Sequence, residues 1–148
     1  TLEKVGAAAR HRNLTIEVLE AKTPGEIDDL FATIKSRNFD AIFVGAAAFL
    51  NSRSAQLAQL TARHRIPAAF ALRETVKAGG LMSYGPSIAD AYRQCGVYVG
   101  RILQGAKPAD LPVVQASKFE LAINRRAAAS LGLAVPQNLI ALADEVID

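Results

Sequence analysis

A chain of 148 residues and 15.7 kDa fits one compact domain with a buried core. Apolar residues make up 51% of it, but polar residues interrupt them so often that no run approaches the roughly 20 residues needed to cross a bilayer. The 17 basic and 14 acidic residues give a net charge of +3 and are scattered, which argues against a nucleic-acid-binding face.

The first third of the chain predicts alternating helices and strands. Residues 2–12 have a helical pattern, and residues 14–19 (LTIEVL) alternate as a strand does. Thr23 opens a T-x-x-E capping box with proline at the first helical position, so a helix begins there and ends near Asn38. The continuous apolar run 40–45 (DAIFVG) predicts a strand in the centre of a parallel sheet, covered on both faces.

Two further helices are predicted in the middle of the chain. The first is capped by Asn51 or Ser52 and leads to a strand over 68–72. Ser87 caps the longest helix, and Gly105 ends it. The apolar stripe of this helix comprises Tyr92, Cys95, Val99 and Ile102. Cys95, the one cysteine, is therefore predicted to be a buried structural thiol, and no internal disulfide is possible.

The last third completes the alternation. Residues 113–115 could form a short strand, residues 119–123 alternate strictly as a strand, and Asn124 and Gly132 bound a short helix. The apolar residues of 136–148 predict a tail that docks on the body. This order of elements predicts a three-layer α/β domain with a mostly parallel sheet and helices on both faces.

The amino end opens in a helical pattern, whereas a βαβ series begins with a strand that such a helix follows. Residues upstream of this sequence are therefore expected. The alternative is an amino-terminal helix that simply packs on the sheet. The first residues show no basic, apolar and small-residue series, so a cytosolic protein and a mature or trimmed product both remain open.

The stretch 73–85 (RETVKAGGLMSYG) is the main candidate for a binding rim. It places the charged pair Arg73 and Glu74, a glycine hinge and a short strand ending in Tyr84 where consecutive βα units meet. Small ligands bind at the carboxyl ends of the strands in an open parallel sheet. An ordinary turn before an edge strand is the alternative interpretation.

Enzymatic motifs are missing from the sequence. It contains no G-x-G-x-x-G, G-x-x-x-x-G-K-S/T, G-x-S-x-G or H-E-x-x-H, the signatures of dinucleotide, P-loop, hydrolase and zincin sites. Both histidines, His11 and His64, have arginine neighbours that disfavour a metal ion. We therefore expect a protein that is not an enzyme and that uses no cofactor or metal.

The pieces AGGLMSYGPS, ILQGAKPADLPV, KFELAIN and ADEVID follow one another in this order. With them, nearly the whole chain resembles the carboxyl-terminal half of the substrate-binding proteins of ABC transporters, in the group that includes tryptophan and tyrosine binders. The resemblance implies a periplasmic-binding-protein type I architecture, in which two α/β lobes joined by crossing strands hold a ligand between them. Residues 1–148 would be the second lobe, and residues 81–105 a segment that packs on the missing first lobe.

The function implied by this resemblance is capture of a small ligand by hinge closure, followed by recognition of the closed form by a membrane permease. The ligand would be an aromatic amino acid, another amino acid or a small organic anion. The protein would be periplasmic, or lipid-anchored on the extracellular side, with its signal peptide outside this chain. A homodimer through the surface left by the missing lobe is also expected.

The candidate ligand contacts stand after the predicted strands: Ala46, Ala47, Phe49, Asn51, Arg73, Glu74, Ser83 and Tyr84. An aromatic ligand could stack on Phe49 or Tyr84, Asn51 could donate to a carboxylate, and Arg73 or Glu74 could bind a charged end group. The alternative for these residues is structural, with Phe49 in the core, Arg73 and Glu74 a surface pair and Tyr84 filling a hinge.

Two other functions stay open. The effector-binding domain of a transcription regulator uses similar lobes, but it needs a DNA-binding headpiece upstream. A small flavodoxin-like α/β enzyme needs an acid, base or nucleophile cluster at the strand ends, and only Glu74 qualifies there.

Overall fold

The computed structural model describes the backbone of residues 2–148 and the side chains of residues 5–148, so Thr1 of the predicted lobe lies outside it. The elements are α1 Leu2–His11, α2 Pro24–Ser36, β1 Ile42–Val44, α3 Ala48–Asn51, α4 Ser54–His64, β2 Ala68–Phe70, α5 Arg73–Lys77, β3 Met82–Pro86, α6 Ile88–Leu103, a 3-10 turn Pro108–Asp110, β4 Phe119–Asn124, α7 Arg125–Leu131, α8 Gln137–Leu142 and β5 Glu145–Ile147. The strands form a five-stranded sheet in the order β1-β2-β3-β4-β5. All neighbours are parallel except β3 and β4, which confirms the α/β prediction.

The start of α2 is fixed by side-chain hydrogen bonds. The Thr23 hydroxyl accepts from the Glu26 amide at 3.3 Å, as the capping box predicts. The Glu26 carboxylate accepts from the amide of Lys22 at 2.8 Å, whereas the capping box predicts a bond from the amide of Thr23. The pKa of Glu26 lies below its ordinary value of 4.5, first because of the hydrogen bond from Lys22 and second because of that with Thr23.

The main core lies between the sheet and the helices α2 and α4. One face of α2 contributes three buried apolar residues at helical spacing, as its sequence predicts. The buried cluster comprises Ile27, Phe31, Ile34, Leu57, Leu60, Ile66, Ala68 and Phe70. Because Ala68 and Phe70 alternate with Ala69 along β2, this core covers one face of the sheet.

Two predictions about the amino-terminal part are wrong. Residues 14–19 form no strand, and Leu14, Ile16 and Val18 are each at least 48% exposed. β1 is an edge strand and not a central one, since within the described chain it pairs with β2 alone. Its middle residue, Phe43, is 63% exposed.

Two local predictions and one alternative interpretation also fail. Asn51 and Ser52 do not cap α4, because residues 48–51 form the separate short helix α3 and α4 begins at Ser54. The alternative interpretation of residues 73–85 as an ordinary turn does not hold, because Arg73 and Glu74 begin the helix α5. Residues 113–115 do not join the sheet, and Val113 is 97% exposed.

The longest helix, α6, is bounded as predicted but is not buried. The Ser87 hydroxyl accepts from the Asp90 amide at 3.3 Å, and Gly105 follows the helix with a positive φ of 101°. None of the 16 residues of α6 is buried. The prediction of a buried Cys95 is therefore wrong for this chain, because the stripe that carries it faces solvent.

The carboxyl-terminal elements follow the sequence closely. The Asn124 side chain accepts from the Ala127 amide at 2.8 Å to cap α7, and Gly132 ends that helix in the left-handed region. The tail docks on the body by adding β5 to the sheet beside β4.

Candidate functional site

The candidate site is one edge of the sheet. β1, β2 and β3 run in the same direction, so their carboxyl ends lie along a common border, which we call the carboxyl edge (residues 45–51, 71–74 and 84–88). Phe70, the last residue of β2, is in register with Ser83, so β3 continues beyond β2 by three residues. These three residues pair with the start of β4, and we call this two-stranded extension the β3–β4 ribbon.

An exposed aromatic pair lies on the ribbon. The rings of Tyr84 and Phe119 are stacked, with centroids 5.7 Å apart and an interplanar angle of 22°. Tyr84 is 60% exposed, and Phe119 is exposed as well. Sequence reasoning selected Tyr84 but missed Phe119, because the two residues meet only through the antiparallel pairing of β3 with β4.

Arg73, at the start of α5, is held by carboxylates. Its guanidinium lies 3.4 Å from Glu120, 3.7 Å from Glu145 and 3.8 Å from Glu74. Lys118 contacts Glu120 at 3.7 Å, and Lys77 contacts Glu145 at 3.2 Å. We call these six residues the ion-pair network. It ties α5 to β4 and β5, and its members beyond Arg73 and Glu74 were not selected from the sequence.

The two groups lie on different faces of the ribbon. Tyr84 is opposite Leu121, and Gly85 is opposite Glu120. Leu121 and Glu120 are neighbours in β4, and the side chains of neighbouring strand residues point to opposite faces. Since Tyr84 is on the same face as Leu121, the side chains of Tyr84 and Glu120 lie on opposite faces of the ribbon. The structure therefore brings Arg73 together with Glu74, and Tyr84 together with Phe119, but it does not join these pairs into one cluster.

The loop after β1 carries the other predicted contacts. Ala46 and Ala47 are exposed, and Phe49 is half-buried against the main core, with the Arg53 guanidinium 5.9 Å from its ring centroid. Asn51 is half-buried, and its carbonyl oxygen accepts from the Ser54 hydroxyl at 2.7 Å.

A chain of hydroxyl groups joins this loop to the next one. The Thr75 hydroxyl donates to Ser54 at 3.0 Å, and Ser54 in turn donates to the carbonyl oxygen of Asn51. Because Thr75 belongs to α5, which follows β2, these hydrogen bonds connect the segment after β1 to the segment after β2.

Ser83 is placed differently from the other candidates. It is 1% exposed, and its hydroxyl makes no hydrogen bond within the part of the chain that the structure describes. In register it lies between Phe70 of β2 and Ala122 of β4. In this conformation Ser83 is therefore inside the sheet and out of reach of a ligand at the carboxyl edge.

The concave surface at the carboxyl edge is small. A depression of about 10 Å³ is lined by Ala71, Arg73, Glu74, Gly85, Pro86, Ile88 and Glu120. A pocket that encloses a small organic ligand typically measures roughly 300–1,000 Å³. The carboxyl edge is therefore one wall of a site and does not enclose a ligand by itself.

A larger open groove of about 410 Å³ lies beside it. It is lined by Arg73, Lys77, Lys118, Glu120, Leu121, Ala122, Asp144 and Glu145. Its charged groups are occupied: five of them belong to the ion-pair network, and Asp144 accepts from the Leu121 amide at 2.8 Å. We therefore place the candidate site at the carboxyl edge, where Tyr84 and the loop after β1 are exposed.

The sequence matches the family described as "ABC transporter substrate binding protein" over residues 1–147. The chain belongs to this family. The resemblance seen in the sequence is thereby confirmed, and with it a solute-binding role at the level of the family. No curated protein matches the chain.

Solved structures of the same fold match nearly the whole chain. An ABC domain from Streptococcus pneumoniae in complex with L-Trp is 28% identical, with a TM-score of 0.89 over 99% of this chain and 49% of that one. A conserved domain protein from Vibrio cholerae is 23% identical, with a TM-score of 0.87 over 98% of this chain and 49% of that one. A ligand-free, open substrate-binding protein with adhesive properties from Clostridium difficile is 18% identical, with a TM-score of 0.66 over 99% and 48%.

The chain thus spans about half the length of these solved structures. The two below 25% identity show the fold alone. Among residues 2–148, no helix combines the length and the apolar character that a membrane span requires.

Proposed function

We propose that this chain is the second lobe of a two-lobed solute-binding protein, which captures a small ligand by hinge closure and delivers it to an ABC import system. The observation that carries this proposal is the family match over residues 1–147 in a chain half as long as the solved structures that share its fold. The shallow carboxyl edge supports it, because a wall of this kind needs an opposing wall to enclose a ligand.

The unburied helix α6 supports the division into lobes. Its apolar stripe is exposed along its length, with Tyr92 at 75%, Val99 at 55% and Ile102 at 40%. A Cβ atom added at Gly96 or Gly100 would meet nothing within 4 Å, so no other described part of the chain covers α6 at these two glycines. Contiguous exposed apolar faces of a folded protein commonly mark interaction surfaces. In this proposal, residues 81–105 pack on the first lobe, and the β3–β4 ribbon is the crossing between the lobes.

The ligand is proposed to be a small molecule with an aromatic or a charged end group, such as an aromatic or other amino acid. The stacked rings of Tyr84 and Phe119 offer an aromatic surface, and the bound L-Trp of the Streptococcus pneumoniae protein is compatible with that chemistry. Arg73 would bind a ligand carboxylate in competition with Glu120 and Glu145, which it contacts in this chain.

The remaining parts of the proposal concern the cellular role. Binding makes and breaks no covalent bond, so the protein is not an enzyme. The closed form would be recognised by a membrane permease, and the protein would be periplasmic or lipid-anchored on the extracellular side. Alone, the chain is proposed to self-associate through α6, and sedimentation at micromolar concentration showing a monomer would contradict this.

The proposal is tested with the complete gene product, by calorimetric titration with L-tryptophan, L-tyrosine and the other amino acids. One of them is expected to bind, and Arg73→Ala is expected to weaken that binding about 10-fold or more through the loss of a charged hydrogen bond. Lys77→Ala is the matched control: it also breaks the ion-pair network, but Lys77 stands at the far end of α5 from the carboxyl edge.

A second pair of variants tests the aromatic contacts. Tyr84→Ala and Phe49→Ala should each weaken binding, and wild-type affinity in both would remove them from the site. Equal losses for Arg73→Ala and Lys77→Ala would show that Arg73 acts only through the network. No response to any amino acid or small organic anion would overturn the proposed function.

A further inference from the structure

Basic side chains that are scattered along the sequence gather at the edge of the sheet opposite the carboxyl edge. We call this border, where β1, β2 and β3 begin, the amino edge. The helices α2 and α4 end there, since each leads into the start of a strand. The helix α7 begins there, because Asn124, which precedes it, donates its amide to the carbonyl oxygen of Leu81 just before β3, at 2.8 Å. These three helix ends carry six basic residues, which we call the basic row: Lys35, Arg37, Arg63, Arg65, Arg125 and Arg126.

The three helix ends are neighbours on one face of the sheet. α4 contacts both α2 and α7, and the rings of Phe31 in α2 and His64 in α4 are 5.7 Å apart. Since packed helices lie roughly 8–10 Å from one another, the basic row extends over about 20 Å. All of its residues are exposed. Cations at this spacing do not bind one small anion together, so the row suits a partner that carries many negative charges on a surface.

The net charge of the chain is concentrated at the basic row. Three acidic residues lie beside it: Glu17, Asp40 and Asp148. Six basic against three acidic residues leave a charge of +3, and the other 11 basic and 11 acidic residues of the sequence, which has 17 and 14, cancel. Lys35, Arg63 and Arg65 form no ion pair with any described residue.

The stability of the helices does not account for the whole row. Basic residues stabilise the last turn of a helix, which explains Lys35 and Arg63. Arg125 and Arg126 stand at the start of α7, where the same helix dipole disfavours a cation. Arg65 follows α4 with φ 57°, in the left-handed region that glycine adopts without strain. Residues that contradict a local preference in this way commonly serve a function.

We propose that the basic row binds the surface of a membrane that contains anionic phospholipids. Phosphate groups spaced along a lipid surface match cations spaced along the amino edge, and arginine binds phosphate through paired hydrogen bonds. The choice of a membrane rests on the proposed delivery of a solute to an ABC import system, because that system lies in a membrane. Contact through the amino edge leaves the carboxyl edge, on the opposite side of the sheet, open to the ligand and to the first lobe.

Co-sedimentation of the 148-residue chain with lipid vesicles tests the proposal. The chain is expected to bind vesicles of phosphatidylcholine mixed with phosphatidylglycerol, and not vesicles of phosphatidylcholine alone, and added salt should release it. Arg63→Gln and Lys35→Gln should each weaken binding about 5-fold, the contribution of one cation near an anionic leaflet. Arg53→Gln is the matched control, because Arg53 is also exposed but lies at the other end of α4, towards the carboxyl edge.

Arg65→Gly separates vesicle binding from stability. It should weaken binding about 5-fold without lowering the melting temperature, because glycine relieves the left-handed backbone at this position. Arg65→Lys keeps the charge and should keep the binding. A loss of stability that accompanies the loss of binding in Arg65→Gly would contradict the role of Arg65 in the basic row.

Four outcomes would overturn the proposal. The first two are equal binding to both kinds of vesicle and equal effects of Arg53→Gln and Arg63→Gln. The third is release by inorganic phosphate at an ionic strength at which sodium chloride leaves the chain bound, since that result indicates a site for a small anion. The fourth is binding of duplex DNA or an acidic peptide through the row without binding to vesicles. Vesicle binding together with a complete gene product that binds no solute would refute only the proposed function.

Discussion

Gly85 holds β3 close to the chain that leaves β2, and Gly85→Ala tests how far the carboxyl edge depends on that approach. A Cβ atom at this position would overlap the carbonyl oxygen of Ala71 and lie 2.9 Å from its carbonyl carbon. Ordinary contacts between carbon atoms are about 3.5–4.0 Å long. The obstacle is backbone, so it cannot be relieved by a rotamer change. We expect Gly85→Ala to lower the free energy of unfolding by about 3 kcal/mol, the upper part of the range for overpacking.

Gly45→Ala is the matched control, because Gly45 also follows a strand of the same sheet and a Cβ there would meet nothing within 4 Å. It should change the free energy of unfolding by less than about 1 kcal/mol. Urea unfolding followed by far-UV circular dichroism suits the measurement, since the chain contains no tryptophan. A Gly85→Ala variant as stable as Gly45→Ala would refute the close approach of Ala71 to β3.

Three other predictions concern single side chains. Ser83→Ala should raise the free energy of unfolding in urea by about 1 kcal/mol, because it removes a buried hydroxyl without a partner in the described residues; a loss of stability would reveal a hydrogen bond there. Glu120→Gln should lower the melting temperature more than Glu74→Gln, because the Glu120 side chain is 13% exposed and that of Glu74 is 54% exposed; equal effects would argue against the ion-pair network. The pKa of Asp90 lies below its ordinary value of 3.8, first because of the hydrogen bond from Gln94 and second because of that from Arg93. Ionised Asp90 should therefore stabilise α6 above pH 3.8, and this stabilisation is lost as the pH falls through the lowered pKa of the folded state. Circular dichroism at 222 nm during acid titration checks this, and an identical titration of Asp90→Asn would refute it.

Helix boundaries were predictable because they depend on nearby residues. Thr23, Ser87 and Asn124 each accept a hydrogen bond from an amide three residues later, as the capping pattern requires. Gly105 and Gly132 follow their helices with positive φ values. All five features lie within one helical turn of the residue that causes them, so a single sequence contains the information.

The candidate site was only partly predictable, because its groups come from distant parts of the chain. Arg73 and Glu74 were selected from a local pattern, but Glu120 reaches Arg73 only through the pairing of β3 with β4. Phe119 meets Tyr84 in the same way. The short helices α3 and α5 were missed because stretches of four and five residues show no helical periodicity.

The wrong predictions of burial share a physical origin. An apolar stripe or run in a sequence predicts that its residues are covered by some surface. The structure shows only the burial that this chain itself provides. The two agree at Phe31, which α2 places in the core, and they disagree at Phe43 and Cys95. Both disagreements lie on surfaces without a partner here, the outer edge of β1 and the stripe of α6. If partner surfaces cover them in the complete protein, Phe43 and Cys95 should both become protected there, Phe43 from hydrogen exchange and Cys95 from thiol reagents. Protection of one without the other would show that only one of these two surfaces is covered in the complete protein.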